Sequence, residues 1–153
     1  MDREDKIIAA LNLDLEHEMA AIIRYLHHSF LVKGPLRGSL ATLFRTRARE
    51  SMAHAVRLGE KITAMGGHPS VNISAVHIPE IDDLSEDATI EAMIRADLKA
   101  EEAHLELYIE QHELVRGNTA LRSMIEQFVM EEARHIEELE MYLRADVRTP
   151  LEV

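Results

Sequence analysis

Residues 128–143 read FVMEEARHIEELEMYL. Extended one turn back, the stretch places Leu121, Ile125, Phe128, Glu132, His135, Leu139 and Tyr142 three or four residues apart, on one face of a helix. The stripe is apolar or aromatic except at its centre, where Glu132 and His135 stand side by side. Burying a carboxylate and an imidazole is unfavourable unless each finds a partner, and a metal ion satisfies both at once.

The rest of the chain supplies three more such stripes. Gly34-Pro35, Gly66-Gly67 and Gly117-Asn118 interrupt the helical periodicity, and Pro150 follows the last segment. The spacing predicts helices over about 4–33, 36–65, 86–116 and 119–145, all of similar length and all in a single domain of 153 residues. Pro35 suits a first helical position, Gly66 and Gly117 suit C-terminal caps, and Asp83 or Ser85 suits the start of the third helix. Helices one and two, and three and four, turn within a few residues and so form antiparallel hairpins. Between the hairpins lie residues 68–84, with Pro69 and Pro79. At about 3.3 Å per extended residue that link is long enough to run the length of the bundle. The expected fold is all-α: a four-helix bundle of two hairpins joined by a long crossover, the ferritin-like arrangement.

The polar insertions fall at one depth. Helix one carries Glu18 between Leu11, Leu15, Ile22 and Tyr25; helix two carries Ser51 and His54 between Phe44 and Leu58. Helix three carries Glu101, with His104 one turn on, between Leu98, Leu105 and Tyr108. Glu18 and Glu101 each precede their hairpin turn by 16 residues, and Ser51/His54 and Glu132/His135 follow theirs by a similar interval. A Glu from each of two helices, with Glu-x-x-His from the other two, is the ligand set of a carboxylate-bridged dimetal site. Oxygen and imidazole donors suit iron or manganese, and admit zinc.

The totals exclude other classes. Apolar residues make up 46% and charged residues 29%, and no apolar run reaches a membrane span. The acidic N-terminus lacks the pattern of a signal peptide, so a cytoplasmic location is expected. A net charge of −11 disfavours nucleic acid, and the absence of Cys removes disulfides and thiolate ligands.

Over nearly its whole length the chain resembles the bacterioferritins. The likeness rests on LEHEMAAIIRY around Glu18, RESMAHA around His54, DLKAEEAH around Glu101 and EEARHIEELE around His135. It implies a di-iron ferroxidase centre with Glu18, His54, Glu101, Glu132 and His135 as ligands and Tyr25 close by as a catalytic residue. It also implies haem held between two subunits by Met52, and assembly into at least a dimer. The family has Glu where this chain has Ser51. His104 as a nitrogen ligand, Glu50 from a local bulge, or a water would compensate. After Leu143 only RADVRTPLEV remains, shorter than the extra helix that ends bacterioferritins, so a small shell or dimer is as consistent as a cage. The resemblance implies oxidation of Fe2+ by O2 or peroxide for iron storage or detoxification. Two other readings stay open: a dimetal peroxidase or catalase, and a helical scaffold whose metal site has decayed.

Overall fold

The computed structural model describes residues 1–74 and 86–146, with side chains from 89 to 143 in the second stretch. Among the described residues there are four helices and no strand: α1 (Arg3–Leu31), α2 (Arg37–Ala64), α3 (Glu86–Leu114) and α4 (Thr119–Asp146). None of the described helices is long and apolar enough to cross a membrane.

The helix ends follow local chemistry. Asp2 opens α1 by accepting from the Asp5 N–H at 2.8 Å. That helix stops at Leu31, two residues short of the expected end, because Val32 turns extended and is fully buried. Pro35 sits in the turn rather than at a first helical position, since α2 starts only at Arg37. The C-terminus of α2 is a Schellman motif: Gly66 N–H donates to Thr63 O and Gly67 N–H to Ile62 O, with Gly66 at φ 82°. Gly117 was expected to cap α3 in the same way, but it does not take a left-handed φ. The chain leaves α3 instead through short turns, and Asn118 then caps α4 by accepting from Leu121 N–H at 3.1 Å. The caps expected at Asp83 or Ser85 lie outside the described residues.

Cross-helix contacts fix the directions. Along α1 and α3, Arg3 reaches Leu114, Gln111 reaches Ala10, Tyr108 meets Glu18 and Tyr25 meets Glu101. Along α2 and α4, Arg47 meets Glu138, His54 meets Glu131 and Arg57 meets Gln127. Both pairs are therefore antiparallel, as are the two hairpins, and α2 runs parallel to α3. The link between Ala64 and Glu86 thus starts at one end of the bundle and finishes at the other. Its first residues lie back on α1, where Asn12 binds the His68 carbonyl and the Ser70 N–H. Of the crossover expected at 68–84, residues 75–84 lie outside the described residues.

The core divides in two. One apolar cluster includes Leu11, Leu15, Leu58, Ile62, Leu121 and Phe128; the other includes Tyr25, Leu40, Phe44, Met93, Ile94 and Leu139. Every helix crosses from one cluster to the other, and at the crossing it contributes polar side chains. These are Glu18 on α1, Ser51 and His54 on α2, Asp97, Glu101 and His104 on α3, and Glu132 and His135 on α4, none more than 6% exposed. The bundle is an apolar core with a polar layer across its middle.

Candidate metal centre

Within that layer two groups of donors converge. Glu18, His54 and Glu132 can each place a ligand atom within 4.8 Å of the others, and so can Glu101, Glu132 and His135. Metal–donor bonds of about 2.0–2.3 Å keep the donors on one ion within roughly this range. Glu132 belongs to both groups, and its buried Oε2 has no hydrogen-bond partner. An orphaned carboxylate oxygen between two donor sets is the feature that a pair of cations would satisfy, so the residues fit such a pair.

Each outer carboxylate is held by a tyrosine from the opposite hairpin. Tyr25 donates its hydroxyl to Glu101 Oε1 at 2.6 Å, and Tyr108 donates to Glu18 Oε1 at 2.8 Å. Burial and the adjacent carboxylates push both phenols well above their usual range, so both remain donors. Burial also raises Glu101 above the usual carboxylate range. Glu18 is likewise penalised by burial, but bonding to His54 and the neighbouring imidazole charges outweigh that penalty and hold it below the range.

A carboxylate stands behind each histidine. His54 turns Nδ1 to Glu18 Oε1 at 3.1 Å and Nε2 to Glu131. His135 turns Nδ1 toward Glu132 Oε1 at 4.0 Å and Nε2 toward Glu50 Oε2 at 2.6 Å. The last contact is close but its N–H is not aligned as a hydrogen bond. In metal sites a carboxylate on the far ring nitrogen fixes the tautomer and orientation of the ligating one. Glu131 and Glu50 occupy those places here.

The candidates named from the sequence fall as follows. Glu18, His54, Glu101, Glu132 and His135 make up the two groups, and Tyr25 touches Glu101. Neither His104 nor Glu50 falls in either group. His104 turns instead to Asp14 and Glu18, at 3.7 and 3.8 Å. The side of α2 carrying Glu50 is partly covered by α4. Arg47 on it is 2% exposed and is tied to Glu50 at 3.0 Å and to Glu138. Ser51 is buried one turn before His54 and carries its hydroxyl on Cβ, where a glutamate would carry its carboxyl on Cδ. Met52 is 59% exposed on the surface of α2.

Three parts of the site escaped the sequence reading: Glu131, Tyr108, and a buried ionic cluster around Asp97. Asp97 binds Arg24 Nε at 2.8 Å and His28 Nδ1 at 2.9 Å, all at 7% exposure or less. A usable signal existed for Tyr108 and Asp97. Asp-x3-Glu-x6-Tyr occurs at 14/18/25 and again at 97/101/108. Glu131 offered none, because its neighbour Glu132 already filled the stripe.

The layer opens to solvent between α1 and α3. A cavity of about 430 Å³ there is walled by alanines, Ala20, Ala21, Ala96 and Ala100 among them, and reaches Glu18, Glu101 and Glu132. Small side chains on facing helices leave the slot unfilled, and it gives a small ion or molecule access to the centre.

The Glu50–His135 contact makes a pH prediction. The close His135 contact first, with the His135 and Arg47 charges, lowers the Glu50 pKa from 4.5 to about 2 against a smaller burial penalty. A depressed carboxylate stabilises the fold above its unfolded pKa and loses that contribution as pH falls through the folded value. In metal-free protein, Glu50→Gln should therefore lower the urea midpoint relative to wild type at pH 5. The gap should narrow at pH 3 and close near pH 2. A gap that does not change with pH would show that Glu50 acts through packing alone.

Four antiparallel-paired helices with a carboxylate–histidine layer at mid-height define a ferritin-like four-helix protein. The chain belongs to the ferritin-like domain family, whose model matches residues 8–148. It is 26% identical over 142 residues to a bacterioferritin of Rhodobacter capsulatus, covering 92% of this chain and 84% of that protein. It is 32% identical over 99 residues to the bacterioferritin of Desulfovibrio desulfuricans, a match covering 60% of this chain and only 55% of that protein's length. Among solved structures, a ferritin-like, diiron-carboxylate protein from Bacillus anthracis superposes with a TM-score of 0.84 at 27% identity, covering 94% of this chain and 99% of that one. A D. desulfuricans bacterioferritin structure superposes with a TM-score of 0.78 over 93% of this chain and 82% of that one, and its 23% identity supports the fold.

Proposed function

We propose that the polar layer binds two Fe2+ ions and oxidises them with O2 or peroxide, in the service of iron storage or detoxification. The observation that carries this reading is Glu132, one buried carboxylate common to both donor groups. Glu18 and His54 would hold one iron, and Glu101 and His135 the other. With peroxide as oxidant, each Fe2+ gives up one electron, the O–O bond breaks, and two protons complete two waters. Tyr25 and Tyr108 fix the outer carboxylates so that the donors are in place before iron arrives, which lowers the cost of ordering them on binding. The alanine-walled slot admits ion and oxidant.

Ser51 favours a second reading. With Ser in place of a carboxylate, three Glu leave two divalent cations under-neutralised, and on this second reading the centre would turn over peroxide without laying down iron mineral. Anaerobic loading followed by exposure to O2 or peroxide separates the possibilities. About two Fe2+ bound per chain, oxidised in step with oxidant consumed and followed by a mineral core, supports the ferroxidase. Peroxide consumed far beyond the iron present supports the peroxidase. Fewer than one metal per chain and no oxidation would leave a helical scaffold.

Two further expectations belong with this reading. Ile23, Leu26 and Phe30 on α1, with Met52 and Val56 on α2, are exposed in the single chain and suit pairing with a second copy. Met52 in such an interface would be the axial ligand of a shared haem, and a Soret band in purified protein tests it.

A further inference from the structure

The two hairpins repeat one another with an offset of 83 residues: Asp14 corresponds to Asp97, Glu18 to Glu101 and Tyr25 to Tyr108. The correspondence is physical as well as sequential, because Tyr25 holds Glu101 and Tyr108 holds Glu18. It fails at the two aspartates. Asp97 is fully buried and held by the guanidinium of Arg24 and by His28. Asp14 is also fully buried, but the same offset puts Leu107 where Arg24 would be and Gln111 where His28 would be. Among the described residues the ion pair that Asp14 makes is with the His104 imidazole at 3.7 Å, and both Asp14 carboxylate oxygens are without a hydrogen-bond partner.

The neighbouring polar atoms are orphaned too. His104 Nε2 faces Asp14 Oδ1 at 3.7 Å, too far for a hydrogen bond, and has no other partner. Gln111, whose side-chain amide lies against Asp14, gives its Nε2 to the Ala10 carbonyl at 3.3 Å, while its Oε1 is buried and unpartnered. His104 cannot easily swing to close the gap. Its ring is stacked on His17 at 5.0 Å and on Tyr108 at 4.1 Å between centroids. His104 and Gln111 are 4% and 5% exposed, so bulk water does not reach these atoms freely.

We propose that Asp14, His104 Nε2 and Gln111 Oε1 form a binding site for a single first-row divalent cation, distinct from the pair of sites that share Glu132. Two donors on one ion with bonds of about 2.1 Å near the tetrahedral angle lie about 3.4 Å apart, so the observed 3.7 Å needs only a small adjustment. One carboxylate, one imidazole and one amide oxygen select Fe2+, Mn2+, Co2+ or Zn2+ over magnesium and calcium. The ion supplies the positive charge that Arg24 and His28 supply to Asp97. The site lies one helical turn from Glu18 along α1, and His104 also lines the slot between α1 and α3. A cation here therefore sits beside the opening to the Glu132 centre, at a position where an incoming ion would pause.

Cobalt is the probe, counted by equilibrium dialysis against chelator-stripped full-length protein. Asp14→Asn and His104→Gln should each bind one Co2+ fewer per chain than wild type. In a Glu132→Ala background one Co2+ should remain, and adding Asp14→Asn should remove it. A count unchanged by both single substitutions would overturn the proposal. Crystals of the wild-type protein soaked in Co2+ make the test independent of how the variants fold. An anomalous peak between Asp14 and His104 is expected, whereas peaks only at the Glu132 groups, or water alone beside Asp14, would overturn it. Because the two sites are counted separately, failure at Glu132 and failure at Asp14 are distinguishable.

Discussion

Glu132→Ala is expected to abolish binding at both halves of the centre at once. Without that carboxylate, one half is left with Glu18 and His54 and the other with Glu101 and His135. Two protein donors are too few to compete with hydrated iron. The loss of affinity should exceed the 10–100-fold typical of removing a residue that merely supports a ligand, roughly 100-fold or more. Metal content of protein loaded anaerobically with Fe2+ is the measurement, and two ions per chain retained in the variant would sink the assignment. A second variant separates binding from folding. Glu132→Gln keeps the shape but replaces a buried carboxyl group whose Oε2 has no partner. An unsatisfied buried polar group costs about 1–3 kcal/mol, more when charged. Metal-free Glu132→Gln should therefore resist urea at least as well as metal-free wild type while failing to hold iron. A residue with a purely structural role would not move the two readouts in opposite directions.

Asp97→Ala should produce the largest loss of stability in the metal-free protein. It removes the common partner of Arg24 and His28, both buried, and leaves a guanidinium without its counter-charge in the interior. Breaking a buried ion pair in this way costs about 3–5 kcal/mol. Urea unfolding at neutral pH measures it. The sharper comparison is the double variant Arg24→Met with Asp97→Leu, which removes both charges and refills the space with apolar atoms. It should lose less than Asp97→Ala alone, because the penalty comes chiefly from the unpaired charge rather than from the missing pair. A double variant as unstable as the single one would show that the cluster stabilises by packing. The cluster also lies against the site. Arg24 is 5.2 Å from the Tyr25 ring centroid, and Tyr25 holds Glu101. Asp97→Ala should thus also weaken metal binding at the Glu101 half.

The number of helices, their pairing into hairpins, the long link between them and the mid-height of the polar residues were all legible in the sequence. Each rests on local rules: apolar residues at a spacing of about 3.6, glycine and proline at the breaks, and chain length between breaks. Glu18, His54, Glu101, Glu132 and His135 were legible for the same reason, since each interrupts an otherwise apolar stripe. What periodicity did not decide was the edge of each stripe. Successive residues on a helix are turned by about 100°, so positions flanking the stripe are half in and half out, and the neighbouring helix settles them. Arg47 and Glu50 lie outside the Phe44–Ser51–Leu58 stripe of α2, yet α4 covers them with Glu138 and His135. Glu131 sits next to the stripe residue Glu132, yet α2 brings His54 to it. Asp14 and Asp97 occupy equivalent places in the two hairpins, and only the opposite helix distinguishes them, with arginine and histidine bonded to one and a more distant histidine and a glutamine facing the other. Burial pushes Asp14 above the usual carboxylate range, and His104 and Gln111 offset that only in part. A helix's own sequence determines which way its side chains point, but the charge and hydrogen bonds that meet a buried group come from residues far away in the chain.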